Sequence, residues 1–349
     1  MYFLNRTVAI TALSLTLTAA WAQSSKAPDP LFQNNETLQV TITAPMTTLV
    51  EERAKEGYLP GVFQFTEADG TVVDLDLQIR TRGNFRHKTC DLPPLRLNFK
   101  KSQTDGTLFD KQNIMKLVVN CENSNKYEQI VLKEYLAYRV LNAITDLSFR
   151  ARLLRVTYID SEEQMKQQTY YAFLIEHKKR FAKRHDRKEE IVERVSLGYI
   201  QADQLNLTSI FELLIGNTDF SPTSGAPGRM CCHNYVLFAN DVDPLVAVPY
   251  DFDQSGLVNA PYAAPSPNLR IRSGKVTTRL YRGRCINNQH IPASIQEFKD
   301  GRDAIYAVVD TQEGLTSGTR KSIVKFIDKF YKLIDDPKDV EKHIVDKCI

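Results

Sequence analysis

The chain has 349 residues, 42% of them hydrophobic and 25% charged, which excludes disorder and coiled coil and leaves enough apolar material for a substantial core. Its formal charge of +3 is nearly balanced, which argues against nucleic acid as the main partner. The six cysteines are an even number that an oxidising compartment would let pair.

Residues 1–22, "MYFLNRTVAITALSLTLTAAWA", have an early Arg6, an uncharged apolar stretch and small residues Ala20 and Ala22 where a signal peptidase reads. This predicts a cleaved secretory signal. A membrane anchor is the competing reading, but the apolar run is short, rich in Thr and Ser, and lacks a basic stop. Without these residues the chain keeps 44 basic residues against 42 acidic ones, a net of +2. The expected location is secreted or extracytoplasmic, the periplasm if the host is Gram-negative, with no integral membrane segment in the mature chain.

A polar leader covers residues 23–37. Beyond it, "LQVTITA", "GVFQFTEADGTVVDLDLQIRT", "LPPLRLNFKK" and "NIMKLVVN" read as strands, with Asp69-Gly70 as a hairpin turn. Residues 127–144, "YEQIVLKEYLAYRVLNAI", repeat apolar positions at helical spacing and predict one long helix. Two more strands, "RARLLRVTYID" and "TYYAFLIEH", precede the basic run "EHKKRFAKRHDRKEE", which reads as a solvated helix face or, less simply, a dock for an acidic substrate. "DQLNLTSIFELLIG" predicts a helix capped by Asp203 and stopped by Gly216. Ile323, Phe326, Ile327, Phe330, Tyr331 and Ile334 form a helical stripe near the end. The expected organisation is a β-rich N-lobe with one long helix over 38–175 and a helical C-lobe over 176–349.

The cysteines allow several pairings. Adjacent Cys231 and Cys232 beside His233 suggest zinc as an alternative, against which stands the missing spacer between ligands.

The chemistry gathers late in the chain. "YVLF" and "LVAV" flank the turn-forming "ANDVDP" and predict an antiparallel hairpin. If the turn centres between Val242 and Asp243, Asn234 faces Asp251 at the open end. An amide oxygen and a carboxylate there suit Mg²⁺ or Mn²⁺ carrying phosphate and water. Closing the hairpin by hydrogen bonds is the plainer role for both residues. Upstream, "ELLIGNTDFS" ends a helix and presents Asp219, a candidate to orient an attacking hydroxyl beside a metal-bound phosphate. In the first half, Lys116 on a strand and Glu134 on the apolar face of the long helix are expected to form an ion pair, or else to sit separately at the surface. "IRTRGNFRHK" adds Arg82, Gly83 and Arg86 in a turn, without a Gly-rich phosphate loop anywhere.

The run "QIRTRGNFRHKTCDLPPLRLNFKK", "IMKLVVN", "LAYRVL", "LLIGNTDFS", "HNYVLF" and "VPYDFDQSG", from about residue 75 to about residue 260, resembles the spore-coat-protein-H (CotH) kinase family. The resemblance implies an α+β fold, bilobal and protein-kinase-like. It also implies that Asp219 matches the catalytic-loop aspartate, Asn234 the metal-binding asparagine, and Asp251 the metal-binding aspartate of the kinase "DFG" element. Lys116 with Glu134 would match the nucleotide lysine and its helix partner, with Arg96 able to take the lysine's place and Arg82 near the phosphates. Asn234 lies fifteen residues beyond Asp219, where ordinary kinases have five, and Asp253 stands where they have glycine, as a possible second metal ligand. The implied function is a secreted kinase moving the γ-phosphate of ATP onto Ser or Thr hydroxyls of a protein. The alternative is an inactive kinase-like binding or structural protein of the cell envelope or surface. A metal-dependent phosphohydrolase would call for more His ligands than six scattered histidines supply.

Overall fold

The computed structural model describes residues 26–349 apart from 55, 267, 268, 270 and 272, so the expected signal segment lies outside the described residues. Seven strands form the first half: β1 (Leu38–Ala44), β2 (Leu59–Thr66), β3 (Val72–Thr81), β4 (Leu95–Phe99), β5 (Ile114–Val118), β6 (Ala151–Asp160) and β7 (Gln168–Ile175). Neighbours run antiparallel in the order β1-β2-β3-β4-β5-β7-β6. A parallel β1–β6 pair, with Leu38 opposite Leu154, then joins the two edges.

The bilobal kinase-like fold suggested by the sequence is therefore overturned: the strands close into a mixed barrel rather than forming the open sheet of a small lobe. Closure has a physical reason. Both β1 and β6 bury alternate apolar residues, and pairing them leaves no edge with unsatisfied backbone groups. Phe63, Phe65, Phe99 and Phe109 fill the interior with ring centroids 4.8 to 6.2 Å apart, in tilted and edge-on arrangements. Gly70, at φ 89°, turns β2 into β3, and the Asp69 carboxylate accepts the Thr71 N–H.

Short helices α1 (Met46–Glu52), α2 (Phe85–Thr89) and α3 (Lys101–Thr104) decorate the barrel, and α4 (Asn125–Ile144) crosses its flank. Ser124 caps α4 by accepting the Tyr127 N–H. A second hydrophobic core joins α4 and the outer faces of β6 and β7 to the rest of the chain. That remainder comprises α5 (Lys178–Arg184), β8 (Lys188–Glu190), α6 (Ala202–Ile215), β9 (Tyr235–Ala239), β10 (Val246–Pro249), α7 (Ile291–Asp300), α8 (Arg302–Thr311), α9 (Ser317–Asp335) and α10 (Pro337–His343). The predicted stripe on α9 is buried except for half-buried Phe326. Strands β10, β9 and β8 make a separate small sheet in that order. No helix among the described residues is long and apolar enough to cross a membrane.

Several local expectations are revised. The basic run is more than a solvated face: Arg184 is buried in ion pairs with Glu176 at 3.0 Å and Asp146 at 3.1 Å, and Arg180 pairs with Asp29. Asp203 lies inside the first turn of α6 instead of capping it, and its carboxylate accepts the Gln204 N–H. All six cysteines are paired, as Cys90–Cys121, Cys231–Cys232 and Cys285–Cys348, which removes the zinc alternative.

Gly216 ends α6 in the left-handed region at φ 65°, and a Cβ there would stand 3.1 Å from the Phe326 ring. Gly216→Ala should therefore lower unfolding free energy by about 1–2 kcal/mol, read as a lower urea midpoint with unchanged m.

Candidate active site

Gly216 releases the chain into the loop that carries Asn217, Thr218 and Asp219. Asn217 Oδ1 accepts the Asp219 N–H at 3.0 Å and fixes the loop. From a distant segment Arg282 donates to the carbonyls of Thr218 and Phe220, while its guanidinium lies 4.9 Å from the Phe220 ring centre. Under the loop sits Glu212, which burial pushes up to about 8, beside Asn217 and Tyr235.

The half-buried Asp219 carboxylate is held on both oxygens. His233 Nε2 donates to Oδ1 at 2.8 Å, and Asn234 Nδ2 donates to Oδ2 at 3.2 Å and to the Asp219 carbonyl at 2.6 Å. The hydrogen bond to Asp219 raises the proton affinity of His233, with the Asp219 and Asp251 charges adding to it.

Asn234 and Asp251 sit at the open end of the β9–β10 hairpin, but one residue out of the expected register. Tyr235 pairs with Pro249, so Asn234 faces Tyr250, whose N–H it accepts at 3.0 Å. The turn decides this. Asn240 Oδ1 accepts the N–H groups of both Val242 and Asp243, which centres the connection on Val242 rather than between the two. Asn234 and Asp251 both adopt left-handed backbone, at φ 54° and 67°. Asn and Asp tolerate that region better than other non-glycine residues, yet it costs about 1 kcal/mol or more. The Tyr138 hydroxyl accepts the Asp251 N–H at 2.9 Å and ties the residue to α4.

Asp251 is the electrostatic hub. Its charge favours the protonated forms of Arg82, Arg86, Lys116 and His233, and of the carboxyl groups of Glu134 and Asp253. Asp253 is buried beside Arg86 and Tyr262; burial first, then Asp251, raises its proton affinity.

The expected Lys116–Glu134 pair is not formed. Glu134, 1% exposed, pairs with Arg86 at 3.2 Å, and Arg86 also donates to the Val119 carbonyl. Lys116 instead lies 4.6 Å from the centre of the Tyr250 ring. The reason is the strand face: Lys116 stands opposite Arg96 on β4 and, like it, lines the cleft, while Glu134 belongs to the cluster behind. Burial, and then Arg82, bring the Lys116 ammonium down to about 7.

This cleft, about 540 Å³, lies between the barrel and the small sheet. Its walls combine apolar Phe149, Ile175 and Val236 with cationic Arg96, Lys116 and Lys178 and acidic Glu176, Glu189 and Glu190, Lys178 being paired with Glu189, and its size is ordinary for a small-molecule site. Arg96 Nε is buried there with no hydrogen-bond partner among the described residues.

Among the described residues no three His, Cys, Asp or Glu side chains gather to hold a metal by themselves. The donor set does fit a magnesium-type ion, which is commonly held through one or two carboxylates plus substrate phosphates. Asn234 commits its Nδ2 to Asp219, and among the described residues no hydrogen bond reaches its Oδ1 or the Asp251 carboxylate. No protein-family model and no curated protein matches the chain.

Sequence reasoning missed His233 and Arg282 as parts of the site and left Arg86 as a turn residue. His233 had a signal, since it directly precedes Asn234 in "CCHN". Arg282 had none, because it grips backbone carbonyls.

Proposed function

We propose that the protein is an extracytoplasmic phosphotransferase that moves the γ-phosphate of ATP to a Ser or Thr hydroxyl of a protein substrate, with Mg²⁺ or Mn²⁺. The observation that carries this reading is the Asp219 carboxylate, oriented by His233 and Asn234 in the same neighbourhood as Asp251. The CotH-like order of motifs supports it, and so do three disulfides, which suit an oxidising compartment. The barrel does not bear on the chemistry, because function resides in the site rather than the fold.

The cleft would take the nucleotide, its apolar wall against the base and Lys116, Arg96 and Arg82 toward the phosphates. Asn234 Oδ1 and the Asp251 carboxylate would hold the ion, with Asp253 behind them. Bound Mg²⁺ or Mn²⁺ supplies charge neutralisation at the phosphates. Asp219 Oδ2, whose Asn234 contact is the longer of its two, orients the acceptor hydroxyl and takes its proton. The acceptor oxygen bonds to the γ-phosphorus, the bridging P–O bond breaks, and ADP leaves with that electron pair. Positioning and electrostatics account for the acceleration.

The test incubates the mature protein with γ-labelled ATP and either metal, beside Asp219→Asn and Asp251→Ala. Label transfer by the parent and by neither variant supports the proposal. A second reading, an inactive nucleotide-binding scaffold, draws on the two hydrogen bonds that already occupy Asp219. It expects metal-dependent ATP binding, no transfer, and indifference to Asp219→Asn.

A pH effect follows at Lys116. In the free protein it loses its charge as pH rises through about 7, whereas bound phosphate favours the charged form. ATP binding should therefore weaken between pH 6.5 and 8.5 by up to about tenfold more in the parent than in Lys116→Met, one pKa unit being worth that factor. Titration calorimetry across that range checks it, and parallel pH profiles would remove Lys116 from the phosphate site.

A further inference from the structure

Glu212 stands in the last turn of α6, 1% exposed, beneath the loop that carries Asp219. Its backbone carbonyl accepts the Asn217 N–H at 2.8 Å, and its carboxyl faces the Asn217 side chain and the hydroxyl of Tyr235 at the start of β9. Asn217 and Tyr235 are buried as well. Neither carboxyl oxygen, nor Asn217 Nδ2, nor the Tyr235 hydroxyl completes a well-aligned hydrogen bond among the described residues. Arg282, whose charge acts on Glu212, donates instead to the Thr218 and Phe220 carbonyls.

An acid in this place opposes folding. Burial pushes its carboxyl up to about 8, against the Asn217 and Tyr235 contacts and the Arg282 charge, which favour the ionised form; the Asp219 charge adds to the effect of burial. A leucine would fill the same space without desolvating a polar group. Local costs of this kind are found where a site needs them.

The need is visible in the Asn217 amide. Its ends differ, since Oδ1 accepts and Nδ2 donates, and a half-turn about the last side-chain bond exchanges them. Oδ1 is the end that accepts the Asp219 N–H at 3.0 Å. The Glu212 carboxyl presents an acceptor to the other end, which Nδ2 alone satisfies. With its proton turned to the Tyr235 hydroxyl, the neutral acid still offers Asn217 that acceptor. We propose that Glu212 is a positioning residue: by accepting from Asn217 Nδ2 it selects the amide orientation that holds the Asp219 backbone, and with it the carboxylate, in place. The consequence for catalysis rests on the phosphotransferase reading of Asp219; the positioning itself does not.

Hydrogen exchange of the Asp219 N–H, followed by NMR at pH 6.5 in the mature chain without metal or nucleotide, reads the positioning directly. Glu212→Leu, apolar and of similar size, should speed that exchange about tenfold, the worth of one net hydrogen bond, while its urea midpoint stays at or above that of the parent. Glu212→Gln keeps an acceptor for Asn217 and should exchange within about twofold of the parent. Under the phosphotransferase reading, Glu212→Leu should also lower kcat about tenfold with the KM for ATP little changed, and Glu212→Gln should restore it. Glu212→Met is the substitute should Glu212→Leu not fold. The inference is overturned if Asp219 exchange in Glu212→Leu matches the parent, if Glu212→Gln exchanges as fast as Glu212→Leu, or if a fall in global stability accounts for the faster exchange. A parent that transfers no phosphate counts against the phosphotransferase reading alone, since the exchange is measured without ATP and still decides on Glu212.

Discussion

Asp219→Asn should lower the rate of phosphoryl transfer by on the order of a thousandfold while leaving ATP binding within about twofold, since a positioned proton acceptor contributes roughly 10²–10⁴ in rate. The exchange keeps the side chain's size and the loop that bears it, because Arg282 and Asn217 hold that loop through backbone groups. What disappears is the negative charge that His233 and Asn234 orient. The nucleotide contacts proposed for Lys116, Arg96 and the Asp251-bound ion come from other elements and should persist. Initial rates with γ-labelled ATP, set beside binding measured by calorimetry, separate the two quantities. A rate within a factor of about three of the parent would remove Asp219 from the chemistry and leave the scaffold as the better description.

The largest expected loss of stability is at Arg86→Ala, about 3–5 kcal/mol, the range for removing one partner of a buried ion pair. Glu134 is 1% exposed, and among the described residues Arg86 is its one salt-bridge partner and its Oε1 has no hydrogen bond. Truncation would leave that carboxylate near Asp251 and Asp253, whose charges oppose its own. Burial raises the Glu134 proton affinity even in the parent, up to about 8. Losing Arg86, whose charge holds that affinity down, raises it further, so the defect should shrink from pH 9 toward pH 8 and change little below that. Arg86→Ala with Glu134→Gln should recover most of the loss, and urea unfolding of the four proteins at both pH values measures it. A change below about 1 kcal/mol in Arg86→Ala at pH 9 would mean that solvent or another cation reaches Glu134.

The candidate site was legible where chemistry depends on residue type and local order. Asn234, Asp251 and Asp219 stand out because amides and carboxylates beside a hairpin and after a helix-ending glycine are costly unless used. The register was harder: one side-chain hydrogen bond pattern at Asn240 moved the pairing by a residue. Ion-pair partners were harder still. Lys116 and Arg86 were both available for Glu134, and only the faces presented by β5 and by the segment around α2 decide between them. The Arg282 clamp could not be foreseen, since backbone carbonyls carry no sequence signature.

Alternating apolar residues and turn formers determined from sequence alone that most of the first half would be strands, that α4 and α6 would be helices, and that Gly216 would stop one of them. These outcomes follow from short-range sterics and periodicity, which a window of a dozen residues contains. Only the tertiary structure decided that β1 would find β6 and close a barrel, that Arg86 would neutralise Glu134, and that Asp219 would rest between His233 and Asn234. Each of those depends on which distant groups share a desolvated space, where the cost of an unpaired charge or backbone group selects a partner that no local pattern names.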